Sequence, residues 1–116
     1  MEYAVSLEGT TLVTLHEGTD TTARDEAVSQ LTASLEDLET DDAITDWTVT
    51  DAEVYEQPTA PFDPYTITVA FAVTVAVEAD DAGSAEARGQ RAIDDALESA
   101  GLDAVSYTSA PSASAA

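Results

Sequence analysis

Residues 66–77 read TITVAFAVTVAV, twelve residues without a charge in a chain of 116 whose formal net charge is −21. The odd positions Ile67, Val69, Phe71, Val73, Val75 and Val77 are bulky, β-branched or aromatic. The even positions Thr66, Thr68, Ala70, Ala72, Thr74 and Ala76 are small and uncharged. A strict period of two is strand spacing, and a strand free of charge on both faces belongs inside a sheet. The odd face is expected to lie under helices and the even face to form the open side.

Working outward, residues 56–64, EQPTAPFDP, hold three prolines in nine positions, which fix φ and remove ladder donors, so this stretch reads as a loop. Phe62 sits between those prolines and Tyr65 follows them. Either Phe62 closes the end of the core, or the pair contacts a partner or ligand from a stiffened loop. Before the loop, residues 44–55 make a strand with Trp47 and Val49 on one parity and Thr48, Thr50 and Val54 on the other. Earlier still, Ala27, Val28, Leu31, Leu35 and Leu38 recur at steps of three and four. That spacing predicts a helix to about Glu39, capped by Asp20 or Thr22 and ended by Asp41-Asp42. Residues 3–17 alternate again through Tyr3, Val5, Leu7, Val13 and Leu15. Gly9 interrupts them and suggests a bulge or a tight turn.

After the opening stretch, Asp80-Asp81 starts a second helix whose apolar face is Ala85, Gly89, Ala92, Ile93, Ala96 and Leu97. Gly101 suits a left-handed stop, with Leu102 folding back on Leu97. Val105 and Tyr107 mark a short last strand. Residues 1–108 form a single domain in this reading, and the small-residue stretch 109–116 is expected to be a disordered tail.

The order is β-α-β-β-α-β, and a shift of 62 positions lays Tyr3 on Tyr65, Val5 on Ile67, Leu31 on Ile93 and Leu35 on Leu97. Two βαβ units with right-handed crossovers give an α+β fold: a four-stranded antiparallel sheet with both helices on one face. This resembles the ferredoxin-like architecture shared by ACT-type regulatory domains, RNA-recognition domains and dimeric α+β barrel enzymes. The resemblance covers residues 3–108 and lies in topology alone; no family motif accompanies it.

Twenty-four Asp and Glu stand against Arg24, Arg88 and Arg91, with no Lys. Such a surface repels itself in dilute buffer, while in molar salt the Debye length falls to ~3 Å. The composition is similar to that of cytoplasmic proteins of salt-accumulating haloarchaea, which implies a cytoplasmic setting and diffuse K⁺ or Na⁺ along the acidic surface. Alanine supplies 22 of the apolar positions, so burial yields less per residue than in an ordinary core. With no Cys, there is neither disulfide nor thiolate chemistry. No apolar run approaches the ~20 residues of a membrane helix.

The open face, collected by parity, holds Ala4, Ser6, Glu8, Thr10, Leu12, Thr14 and His16 from the first strand. The second adds Thr48, Thr50, Ala52 and Val54; the last adds Ala104, Ser106 and Thr108. Glu8 is its one acid on this count. A face that meets brine in so acidic a chain should carry carboxylates, so this one is expected to be covered by a second copy, sheet on sheet. Leu12, Thr14, Thr48, Thr50, Thr66, Thr68, Ala70, Ala72 and Thr74 are the interface candidates. Against this stands the ordinary preference of solvated strands for Thr.

Chemistry is sparse, and a non-enzymatic module that dimerises or binds a ligand is the leading expectation. His16, the one imidazole, is the weak candidate for a general base in the alternative, a cofactor-free enzyme. A structural or adaptor subunit is a third possibility. The acidic pairs lack EF-hand spacing and no Cys/His cluster exists, so neither a specific metal nor a cofactor is expected. Three arginines and an open face without stacking aromatics argue against nucleic acid.

Overall fold

The structure is a computed structural model that describes residues 1–15, 20–56, 64–102 and 105–115. Seven elements follow one another: β1 (Glu2–Leu15), α1 (Asp20–Thr40), β2 (Asp46–Glu56), β3 (Tyr65–Glu78), α2 (Ala82–Ser99), β4 (Ser106–Tyr107) and β5 (Ser112–Ala115). All five strands share one antiparallel sheet in the order β2-β3-β1-β4, with β5 also on β1. The chain is thus α+β, with two helices and five strands rather than the four expected.

The opening stretch behaves as its period predicts. Ile67, Val69, Phe71, Val73 and Val75 are all buried, while Thr66, Thr68, Ala70, Ala72 and Thr74 on the opposite face are half-buried. β3 pairs with β1 over their full lengths without a register shift. Ala23, Ala27, Leu31, Leu35 and Leu38 of α1 and Ala85, Ile93, Ala96 and Leu97 of α2 close over the odd face in a single core. Both helices therefore lie on one side of the sheet. Among the described residues, no buried side-chain polar atom lacks a hydrogen-bond partner.

Gly9 makes neither a bulge nor a turn; β1 runs straight through it. The residue faces the core between its two cross-strand partners, Phe71 and Tyr107. A Cβ there would lie 2.9 Å from the Ser106 carbonyl oxygen and 3.4 Å from Phe71 Cζ. Glycine is kept by the close approach of β4 and by a ring that fills the space a side chain would take.

Gly89 has a similar explanation on α2. Its absent Cβ would come within 2.4 Å of Val5 Cβ, so the second helix rests directly on β1. Arg88 Nη1 ties the same helix to the end of β3 by donating to the Glu78 carbonyl at 3.0 Å. Asp81 caps α2, its carboxylate accepting from the Ser84 amide at 2.7 Å. That bond holds the Asp81 carboxyl below its ordinary range.

The two helices end alike. Leu102 N donates to Leu97 O at 3.2 Å and Gly101 N to Glu98 O at 3.0 Å, around Gly101 at φ 76°. In α1, Ala43 N donates to Leu38 O at 2.9 Å and Asp42 N to Glu39 O at 3.1 Å, around Asp42 at φ 61°. These are two Schellman stops, one built on glycine and one on aspartate. Asp20 opens α1 inside the helix, and Thr22 lies within its first turn.

Two expectations are corrected at the edges. Residues 112–115 are not a disordered tail; they pair with β1 at residues 3–6. Their backbone finds donors and acceptors along β1 beyond the point where β4 stops, which composition alone does not reveal. The second correction concerns β2. A register shift between Val49 and Asp51 leaves Thr50 without a partner on β3. The side chains from Asp51 to Val54 then change face, until a second shift between Val54 and Glu56, because strand side chains alternate with period two. Ala52 and Val54 register with Val69 and Ile67 on the core side, not on the open side.

Candidate functional site: the open face of the sheet

The open face has a neutral centre and an acidic margin. Along β3 it presents Thr66, Thr68, Ala70, Ala72 and Thr74; along β1 it presents Ala4, Ser6, Thr10, Leu12 and Thr14, with Glu8 as the acid between them. Ser106, Ser112 and Ser114 continue it on β4 and β5. Hydroxyls satisfy one another across the strands where they meet, as Ser6 Oγ and Thr74 Oγ1 do at 2.8 Å. Such pairs let the surface stand without charge.

The expectation that Glu8 is the face's one acid is overturned on β2. The bulge at Thr50 sets Asp51 opposite Ala70 and Glu53 opposite Thr68, while Asp46 stands opposite Thr74. All three carboxylates are exposed. Asp51 Oδ1 also accepts from the Ala52 amide at 2.9 Å, which helps hold the irregular turn of the strand. Within the sequence, the sign of this was the switch in parity from Trp47 and Val49 to Ala52 and Val54. Apolar residues that change parity inside one strand mark a bulge.

A shallow trough of about 560 Å³ crosses this face from edge to edge. Thr10, Leu12, Thr68 and Ser106 line it, with Glu53 and Val54 on one bank and Val105 on the other. Leu12 lies opposite Thr68, Thr68 opposite Glu53, and Thr10 opposite Ser106, so two neighbouring rows of the sheet form its floor. Three hydroxyls, an aliphatic floor and one exposed carboxylate can receive a small molecule with an apolar body and a hydrogen-bonding end. Parity reading counted Val54 here but missed Glu53, which depends on the bulge, and Val105, which lies just before the two-residue strand β4.

Of the expected interface residues, Leu12, Thr66, Thr68, Ala70, Ala72 and Thr74 share this face and are half-buried. Thr14 and Thr48 are on it and exposed, opposite Thr66 and Ala72. Thr50 is exposed at the bulge. Tyr65 packs against the core. His16 and Phe62 lie outside the described residues, as does Ala104. Among the described residues, no three His, Asp or Glu side chains gather as metal ligands. The one ion pair there joins the Met1 amine to Glu78 at 3.3 Å and is exposed, so it adds little. Among the described residues, none of the three arginines takes part in one, and no helix is long and apolar enough to cross a membrane.

No protein-family model, no curated protein and no solved structure matches this chain.

Proposed function

We propose that this chain is a small, salt-adapted binding module of ferredoxin-like type that works through the open face of its sheet and not by catalysis. The strand order β2-β3-β1-β4 with two helices on one side supports the ferredoxin-like part of the reading. A cytoplasmic setting and diffuse K⁺ or Na⁺ along the carboxylates follow from the net charge of −21.

The observation that carries the proposal is the distribution of charge on the open face. Carboxylates crowd its β2 margin and leave the β1 and β3 centre neutral but for Glu8. The occupant of that centre is a second copy. A two-fold axis along the strands places each β2 margin over the serine-rich β4–β5 side of the other copy, so carboxylates meet hydroxyls and not each other. The trough across Leu12 and Thr68 favours a related reading in which the paired faces enclose a small ligand. The enzymatic alternative rests on His16, which lies outside the described residues.

Light scattering across a range of protein concentrations in molar KCl tests this. A dimeric mass is the expected result. A strictly monomeric mass at millimolar protein overturns the proposal. A parallel salt titration followed by circular dichroism is expected to show folding lost as salt is withdrawn; full stability without salt removes the salt-adapted part.

A further inference from the structure

The two edges of the sheet are built differently. β2 closes its edge to further pairing with register shifts after Val49 and after Val54 and with the exposed acids Asp46, Asp51 and Glu53. The β1 edge at residues 3–6 carries no charged side chain, and β5 alone covers it.

That cover is weak by composition. β5 is Ser-Ala-Ser-Ala, residue types poorly suited to strands, and only Ala113 among them is half-buried. It is also separated from β4. Gly9 pairs with Tyr107, yet Val5 pairs with Ala113, so two extra residues lie on the β4–β5 side. Within that link the Glu8 amide is met by a side chain, Ser109 Oγ at 3.0 Å, while Thr108 N donates to Glu8 O at 2.9 Å. Glu8 therefore turns both its amide and its carbonyl toward this edge. By the alternation of an antiparallel ladder, Ala4 and Ser6 do the same. Pairing with β1 and the packing of Ala113 against the core beside α2 are what retain β5.

We propose that the β1 edge at residues 3–6 is a strand-acceptor site. β5 fills it in cis, and it accepts an extended segment of a partner chain with an alanine-sized residue facing inward and β-branched residues facing outward. The inward limit comes from Ala113, which lies opposite Val5, where α2 presses so closely that Gly89 has no room for a Cβ. The outward preference follows from the neighbours of Ser112 and Ser114. These are Ser6 and Ala4, small side chains that leave room for branched ones. Backbone pairing supplies most of the affinity and the inward alanine supplies the selection. This site is the main-chain edge of β1; its outward positions adjoin the β4–β5 margin of the open face, not the trough across Leu12 and Thr68.

The test uses the full chain in molar KCl. Hydrogen exchange is expected to be about 100-fold faster at the Ala4 and Ser6 amides than at Val5 and Leu7, whose amides point to β3. The probe is a synthetic peptide of residues 105–116 carrying Ser112→Val and Ser114→Val. It should bind and slow exchange at Ala4 and Ser6, and bind about tenfold more tightly than the unsubstituted peptide. Placing the same two substitutions in the full chain strengthens the cis strand, so peptide binding should be lost. Equal protection of the four amides, no peptide binding, or protection that appears around Leu12 and Thr68 instead of at Ala4 and Ser6 each overturns the proposal.

Discussion

Phe71 and Ala72 are neighbours on one strand and stand on its two faces. Phe71 is 1% exposed, lies opposite Gly9 on β1 and Val49 on β2, and belongs to the core that both helices close. Ala72 is half-buried and lies opposite Glu8 and Thr48 on the face away from the helices. The helix face is specified by shape: each position answers to a particular neighbour, down to two glycines that leave room for Phe71 and Val5. The open face is specified by what it lacks. Small neutral side chains hold its centre while charge is kept to β2, to Glu8 and to the Glu2–Glu78 end of the central pair. A surface can be read as packed from its own residues, but as covered only from the contrast with the rest of the molecule.

The sharpest way to break the contrast is to cut into each face in turn. Phe71→Ala should destabilise by ~3–5 kcal/mol, because the ring fills the space over Gly9 and its loss leaves a cavity. Ala72→Ser, one position along, should change stability by less than ~0.5 kcal/mol. Denaturant midpoints of the two variants measure the difference; similar losses would show that the open face is packed as tightly as the core.

Ala72→Asp addresses the covering of that face. It should leave the isolated chain folded and weaken self-association about 100-fold, or ~2.7 kcal/mol, since a carboxylate is then desolvated without a partner. Light scattering of this variant in molar KCl reads the effect. An undiminished dimer would move the interface elsewhere.

Gly89→Ala should destabilise by ~1–3 kcal/mol through overpacking against Val5, whose Cβ lies 2.4 Å from where the new methyl must go. Val5→Ala in the same chain should recover part of that loss, because the two changes share one contact. Strict additivity in the double variant would mean that α2 and β1 do not touch there.

The smallest effect concerns the rim of the helix face, where the Tyr107 hydroxyl donates to Asp94 Oδ1. Burial raises the phenol above its ordinary range, and the bond to Asp94 and the charge of that carboxylate add to the shift. With the folded value above the unfolded one, the contribution is complete below about pH 10 and declines as pH rises further. Absorbance titration of the wild type against Tyr107→Phe should assign a late-ionising phenol to this position. An ordinary phenol signal, lost in that variant near pH 10, would separate Tyr107 from Asp94.

Much of the helix face was legible beforehand because its signals are periodic. Ile67 through Val75 alternate by two, and Leu31, Leu35 and Leu38 step by three and four, so their burial follows from spacing alone. Gly101 and Leu102 announced a left-handed stop that the structure contains. The matching stop at Asp42 was legible only as a helix end, since aspartate does not advertise a positive φ as glycine does. On the candidate site, parity placed β1 and β3 correctly and failed on β2 after Val49. Thr50 carries no mark of its own that it is the extra residue.

The sequence by itself determined the order of elements from β1 to β4, the faces of the helices and central strands, and the acidity of the chain. These depend on neighbours a few residues apart, where covalent geometry sets the period. Only the tertiary structure decided that Gly9 continues a strand, that a bulge turns Asp51 and Glu53 onto the open face, and that Ser112–Ala115 closes the β1 edge. Each of those depends on which backbone lies opposite, and strand pairing brings together residues far apart in the chain.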